Sequence, residues 1–100
     1  GPGDLIERYG GEEFIAVLSG ASLQTVHGAA ERIRRGIEGL NLLHATSSTH
    51  AVVTVSIGVA TMNPSAPGAT TTRLISAADE ALYRAKNGGR NRVVAMGMDA

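Results

Sequence analysis

The chain has 100 residues, of which 43% are hydrophobic, and its nine basic and nine acidic side chains give a formal net charge of zero. This length suits a single domain with a core of its own. The balanced charge excludes the broad basic field of a nonspecific nucleic-acid-binding protein, so neither DNA nor RNA is expected as a partner. Cysteine is absent, which excludes disulfides and thiolate metal sites.

The termini and the hydropathy of the chain predict one domain. Residues 1–3, which begin Gly-Pro, are interpreted as a tag remnant and residues 4–100 as the domain. No apolar run reaches membrane-spanning length, so this segment is not expected to contact a membrane. A cytoplasmic location is expected, with any membrane anchor of the parent protein in an upstream domain.

Two apolar-rich stretches near the start of the chain flank a pair of glycines. Residues 4–9 and 13–18 are predicted to be strands of an antiparallel hairpin with Gly10 and Gly11 at its tip. Residues 14–18 are apolar without alternation, which indicates a strand covered on both faces. Glycine at the tip would let a bulky ligand approach the backbone closely.

A helix and a second strand region are predicted next. Ser22 is a suitable N-cap for a helix that runs to about Leu40, because apolar residues recur there at three- and four-residue steps. Residues 41–50 are compatible with a short strand or a polar loop. Residues 53–60 alternate between large apolar residues and small or polar ones, which predicts a half-buried strand.

The last third of the chain predicts a loop, a helix and a strand. Residues 63–71 contain two prolines and are predicted to be a loop, followed by a helix capped by Thr72. The residues 87–89, Asn-Gly-Gly, are predicted to end the helix in a left-handed conformation, and residues 92–96 to form the last strand. The inward face of this helix is predicted to consist of Leu74 or Ile75, Ala78, Ala81, Leu82 and Ala85.

Two carboxylates, Glu12 and Glu13, follow the glycines directly. Carboxylates beside such a tip suit a hard cation such as Mg²⁺, and the alternative is a solvated turn with two surface glutamates. Consecutive residues of a strand point in opposite directions, so both can serve one site only where the tip is irregular. Glu12 is the stronger candidate because it lies nearer the tip.

Three segments together resemble one protein family. They are RYGGEEF at residues 8–14, VTVSIGVA at residues 53–60 and AADEALYRAKNGGRN at residues 77–91. Their order and spacing are similar to those of the GGDEF domain, the diguanylate cyclase family, in its Gly-Gly-Glu-Glu-Phe variant. The resemblance covers the C-terminal part of such a domain, and the three motifs are specific only in combination.

The fold implied by this resemblance is α+β, with an antiparallel sheet and helices packed on it. It is the ferredoxin-like palm of nucleotide cyclases, here lacking its first strand and helices. The first strand would lie between residues 14–18 and residues 53–60. The sequence therefore predicts that these two strands either pair directly or leave a gap for another copy, and an intertwined, swapped oligomer is the preferred expectation.

The activity implied by the resemblance is condensation of two GTP molecules into cyclic di-GMP, a bacterial second messenger, with release of pyrophosphate. Mg²⁺ or Mn²⁺ is the implied cofactor, and two domains must face each other, which implies a homodimer. Glu12 corresponds to a catalytic metal ligand that activates the ribose 3′-OH, and Glu13 corresponds to a second catalytic and metal-binding carboxylate.

Substrate binding is implied for the hairpin tip and for the end of the second helix. The resemblance assigns Lys86 and Arg90 to the GTP phosphates, and it places Gly10 and Gly11 against the nucleotide. Arg8 is a weaker candidate for the same anion. From the residues alone, Lys86 could equally be a cation that stabilises the C-terminus of its helix.

An allosteric site for the product is also implied by the resemblance. Asp4 and Arg32 correspond to two of its three residues, while Gly1 stands where the family has an arginine. Arg34 and Arg35 are interpreted as the solvated side of an amphipathic helix.

The front of the family domain, with its metal-binding aspartate and guanine-reading residues, has no counterpart in this chain. The chain alone is therefore expected to be inactive, while an intact parent would be a cyclase. The rival hypothesis is a non-catalytic module that binds nucleotide weakly or mediates association. A generic α+β interaction domain would leave the three spaced motifs as coincidence.

Overall fold

The computed structural model describes residues 5–8, 12–43, 52–65 and 67–98; for Leu5, Glu7, Arg8 and Met98 it describes the backbone only. The described residues form four strands and two helices in the order β1 (Leu5–Arg8), β2 (Glu13–Ser19), α1 (Leu23–Gly39), β3 (Ser56–Met62), α2 (Thr71–Asn87) and β4 (Val93–Met98).

The sheet has the strand order β1-β2-β3-β4. Strands β1 and β2 form the predicted antiparallel hairpin, but β2, β3 and β4 are parallel to one another. The prediction of an antiparallel sheet is therefore wrong. The physical reason is that a helix follows β2 and another follows β3, and each helix returns the chain to the edge of the sheet from which the preceding strand started.

The direct pairing of β2 with β3 is the first of the two arrangements expected for these strands. The pairing is continuous from Glu13, opposite Ser56, to Ser19, opposite Met62. Because α1 carries the chain from the end of β2 back to the start of β3, the two strands run in the same direction, and they are neighbours in the sheet. The pairing leaves the apolar side chains of Val17 and Ile57 buried.

Strand β3 lies at the centre of the three parallel strands and is covered on both faces. Ile57 and Val59 pack against α1, and Ala60 packs in the cluster that contains the buried residues of α2. The prediction of a half-buried strand is therefore wrong. Its alternation marks two different helix contacts: large side chains meet α1, while small side chains on the other face admit α2.

Gly58 allows α2 to approach the sheet closely. A Cβ added at this glycine would contact the backbone of Ala78 and Leu82, reaching 2.8 Å from the Leu82 Cα. Since backbone atoms of a packed helix cannot rotate aside, only glycine fits at this position. The buried face of α2 is Leu74, Ala78, Ala81, Leu82 and Ala85, so Leu74 rather than Ile75 supplies its first fully buried side chain.

The helix ends differ in part from the predictions. Ser22 caps α1 as predicted, accepting a bond from the Thr25 amide. Helix α2 is capped by Thr70 rather than Thr72, because Thr70 has the extended conformation that lets its hydroxyl accept from the Arg73 amide. Within the described part of the chain, no helix is both long and apolar enough to cross a membrane.

An apolar groove of about 370 Å³ separates α1 from the β1–β2 end of the sheet. Helix α1 contacts β3 and β4, so Phe14 of β2 remains only half-buried beneath it. Ile6 and Ile33 border the groove and are 73% and 54% exposed. The prediction that β2 is covered on both faces thus holds only for the face of Ile15 and Val17, which are both buried.

We predict that Gly58→Ala lowers the free energy of unfolding by about 3 kcal/mol, because overpacking against backbone forces α2 away from the sheet. Urea denaturation followed by circular dichroism measures this loss.

Gly36→Ala is the matched control for this substitution. A Cβ at Gly36, on α1, meets nothing within 4 Å, and alanine is favoured over glycine in a helix by about 1 kcal/mol. The control is therefore expected to raise stability. Equal effects of the two substitutions would contradict the close approach of α2 to Gly58.

Candidate functional site

The start of β2 and the end of α2 meet at one edge of the sheet. Parallel pairing aligns the starts of β2, β3 and β4, and α2 runs back from the end of β3 to this edge. Two backbone bonds fix the alignment: the Ser56 amide donates to the Glu12 carbonyl at 2.9 Å, and the Ile57 amide donates to the Arg92 carbonyl at 3.0 Å. The start of β2 and the segment just before β4 are thus held on either side of the start of β3.

Glu13 is the carboxylate on which two motif cations converge. Lys86 Nζ lies 3.2 Å from Glu13 Oε1, and Arg90 Nη1 lies 3.6 Å from Glu13 Oε2. The Glu13 side chain is 23% exposed, whereas those of Lys86 and Arg90 are 35% and 60% exposed. The site is therefore open on the side of the two cations, where a dissolved anion can reach them.

The conformation of the loop after α2 directs Arg90 towards β2. The helix ends at Gly88, whose φ of −77° is right-handed, and the left-handed residues are Gly89, Arg90 and Asn91. Of the predicted left-handed Asn-Gly-Gly end only Gly89 has positive φ, and the left-handed run extends two residues further than predicted. Left-handed φ is costly for a residue such as arginine, and the Arg90 amide is held by a bond to the Ala85 carbonyl at 2.9 Å.

The helix ends at this edge favour cationic side chains. The carbonyl ends of both α1 and α2 point to the edge, and they carry partial negative charge. Lys86 and Arg84 lie in the last turn of α2, so the structure supports helix-end stabilisation as one role for Lys86. Because Lys86 also reaches Glu13 on another element, that role does not account for its whole contact set.

The donor set fits a divalent cation only in part. Glu12 and Glu13 are adjacent carboxylates at the start of β2, and both are partly exposed. Among the described residues there is no cluster of three or more histidine, cysteine or acidic side chains. Mg²⁺ is commonly bound by one or two carboxylates together with substrate phosphates and water, and two carboxylates beside an anion site match that pattern.

A second polar cluster joins α1 to the loop that carries Arg90. The Arg34 guanidinium donates to both Glu31 carboxylate oxygens at 2.7 and 3.1 Å, and to the Asn91 side-chain oxygen at 2.9 Å. Asn91 Nδ2 donates in turn to Glu38 Oε2 at 2.6 Å. The hydrogen bond from Arg34 holds the pKa of Glu31 below its ordinary value, and the bond to Glu31 raises the pKa of Arg34.

The sequence interpretation of Arg34 as a solvated residue is wrong. Its side chain is only 14% exposed, whereas that of Arg35 is 74% exposed, as interpreted. The signal was present in the spacing, because Glu31 and Glu38 stand three residues before and four residues after Arg34 on one helix face. The partner in Asn91, 57 positions away, could not be found from spacing.

Several predicted site residues lie outside the described parts of the structure. These are Asp4, Gly10 and Gly11, while Arg8 is described only as the backbone partner of Phe14 in the β1–β2 pair. Arg32 is an exposed residue of α1. The structure thus brings together Glu13, Lys86 and Arg90 from the predicted site, and it places the backbone of Glu12 opposite Ser56 at the same edge.

Comparison with known proteins identifies the family. Residues 1–92 match the family model "Diguanylate cyclase, GGDEF domain". The chain is 40% identical over 90 residues to "Diguanylate cyclase A" of Treponema denticola, covering 90% of this chain and 23% of that protein. It is 46% identical over 90 residues to "Diguanylate cyclase DosC" of Escherichia coli K12, covering 90% of this chain and 19% of that protein.

A third relative is "Response regulator PleD" of Caulobacter vibrioides, 41% identical over 91 residues, which are 91% of this chain and 20% of that protein. The chain thus spans about a fifth of the length of these curated relatives. The family match covers the hairpin, both helices and β3, including the edge where Glu13, Lys86 and Arg90 meet. This chain belongs to the GGDEF-domain family of diguanylate cyclases.

Proposed function

We propose that this chain carries the phosphate-binding edge of a diguanylate cyclase that condenses two GTP molecules into cyclic di-GMP and releases pyrophosphate. The observation that carries the proposal is the convergence of Lys86 and Arg90 on Glu13, beside Glu12, at one edge of the sheet. The names of the relatives and the family match support the reaction class.

The cations and carboxylates of this edge have complementary roles in the proposal. Lys86 and Arg90 bind the triphosphate through charge-assisted hydrogen bonds, while Gly10 and Gly11, with Arg8 as a weaker contributor, border the nucleotide. Glu12 and Glu13 hold Mg²⁺ or Mn²⁺, which when bound neutralises phosphate charge and acidifies a coordinated hydroxyl. In this proposal Glu12 orients the attacking ribose 3′-OH.

The reaction needs two such sites that face each other. The 3′-OH of one GTP attacks the α-phosphate of the other, so each protomer of a homodimer supplies one nucleotide. The protein contributes mainly positioning and charge stabilisation to such a phosphoryl transfer. GTP is a cytoplasmic nucleotide, and the proposed activity accordingly belongs to that compartment.

In the chain by itself, Glu13 competes with a substrate for the two cations. This carboxylate lies 3.2 Å from Lys86 and 3.6 Å from Arg90, so it weakens their attraction for a triphosphate. We propose that residues 4–100 are the C-terminal part of the domain and that catalysis needs the preceding part. The rival function, a non-catalytic module that binds nucleotide weakly or mediates association, rests on the same contacts.

We expect Glu13→Gln to tighten GTP binding about fivefold in the presence of EDTA, because it removes a carboxylate that competes for Lys86 and Arg90. Lys86→Ala and Arg90→Ala should each weaken binding about tenfold. Phosphorus NMR titration with GTP measures these dissociation constants.

The exposed pair of Glu80 and Arg84 on α2 supplies the matched controls, since its two side chains lie 3.2 Å apart and outside the site. Glu80→Gln and Arg84→Ala should leave GTP affinity unchanged within a factor of two. If Glu13→Gln and Glu80→Gln have the same effect, the carboxylate competition is refuted.

We also expect the purified 100-residue chain to form no cyclic di-GMP from GTP and Mg²⁺ above the level of a Glu12→Ala control. Liquid chromatography with mass spectrometry detects the product. Turnover by the chain that is lost in Glu12→Ala would show that the preceding part of the domain is dispensable.

Product binding at the proposed allosteric site, with Asp4 and Arg32, is expected to be weaker than micromolar. Gly1 provides no guanidinium, and a bidentate arginine contact to phosphate is worth about 2 kcal/mol. Calorimetry with cyclic di-GMP measures the affinity. A submicromolar dissociation constant that is lost in Arg32→Ala would show that the residues present are sufficient.

A further inference from the structure

We propose that Arg34, Glu38 and Asn91 form a positioning clamp that fixes Arg90 and the end of α2 for phosphate binding. The inference rests on the proposed function, because it assigns the clamp to the same anion site. None of the three residues is expected to touch the nucleotide, and their role is to set where the phosphate-binding cations stand.

The clamp consists of hydrogen bonds between elements that are distant in sequence. Asn91 uses both polar atoms of its side chain: its oxygen accepts from Arg34 at 2.9 Å, and its nitrogen donates to Glu38 at 2.6 Å. Arg34 also donates to Glu38 at 3.4 Å, which closes a three-membered ring of contacts. Such a ring fixes the Asn91 side chain in position and orientation at once.

Glu31 makes the α1 side of the clamp rigid. Its carboxylate accepts two bonds from Arg34, in the bidentate geometry that fixes the plane of a guanidinium. The Arg34 side chain is 14% exposed and that of Glu31 is 22% exposed, so water screens this pair less than an ordinary surface pair. Arg34 is therefore held in place on α1 before it meets Asn91.

The clamp acts on Arg90 through the backbone. Arg90 and Asn91 are consecutive residues with φ of 63° and 44°, a backbone conformation that is costly for arginine and more easily adopted by asparagine. Contacts of three kinds hold this loop: the Arg90 amide donates to the Ala85 carbonyl, Arg92 Nε donates to the Arg90 carbonyl at 3.0 Å, and the Asn91 side chain bonds to Arg34 and Glu38 on α1. A loop released from α1 would let the Arg90 guanidinium leave the vicinity of Glu13.

The test compares Asn91→Gly and Arg34→Lys with the control Arg35→Lys. Glycine accepts left-handed φ, so Asn91→Gly removes the side-chain bonds without imposing backbone strain. Lysine cannot reproduce the bidentate contact of Arg34. Arg35 is exposed and contacts Glu31 at 3.4 Å, so Arg35→Lys matches the chemical change outside the clamp.

Two quantities are measured for each variant of the full 100-residue chain. The first is the hydrogen-exchange rate of the Arg90 amide relative to the Leu82 amide within α2, without ligand. The second is the dissociation constant for GTP in EDTA. We expect Asn91→Gly and Arg34→Lys to raise the relative exchange rate at least about tenfold and to weaken GTP binding about fivefold. In an Arg90→Ala background the loss of affinity should become smaller.

The outcomes separate the clamp from the proposed function. Unchanged exchange at Arg90 in both variants overturns the clamp. Faster exchange with GTP affinity unchanged, while Arg90→Ala weakens binding, shows an anchored loop that does not position the cation, which also overturns it. If Arg90→Ala and Lys86→Ala leave GTP binding unaltered, the proposed function fails, and the exchange data still decide whether Arg34 and Asn91 hold the loop.

Discussion

The parallel pairing of β2 with β3 is the contact on which the rest of the structure depends. It aligns the starts of three strands at one edge, and it makes β3 a central strand with a helix on each face. Since α1 and α2 both return to this edge, their C-terminal ends and the loop after α2 come together there. The positions of Glu13, Lys86 and Arg90 follow from that alignment.

The location of the site sets its chemistry. In open parallel sheets ligands usually bind at the carboxyl ends of the strands, where helix N-termini favour anions. Here the candidate site lies at the opposite edge, where helix C-termini disfavour an anion. Lys86 and Arg90 offset that field. Glu13 holds the two cations close together through ion pairs of 3.2 and 3.6 Å. An anion site at a helix C-terminus depends on side chains that are held firmly in place.

The packing of α2 on the sheet and the hydrogen bonds of the loop after α2 hold these side chains in place in different ways. Gly58 lets α2 lie directly on β3, which fixes the height of the helix above the sheet. The bonds of Arg34 and Glu38 to Asn91 fix the loop beyond the helix relative to α1. Packing alone would leave the exposed Arg90 side chain free to move, because 60% of its surface is in water. The hydrogen bonds from α1 to Asn91 thus fix a surface loop that core packing alone would not fix.

The sequence by itself determined the hairpin, the Ser22 cap, the inward face of α2 and the family, because each depends on local spacing or on motifs. It also pointed to Glu12, Glu13, Lys86 and Arg90 as one group. Only the tertiary structure decided that β2 and β3 run parallel, that both faces of β3 are covered, and that Arg34 binds Asn91. Those features depend on which strands become neighbours and where two helices return the chain, and periodicity along one segment carries no information about either.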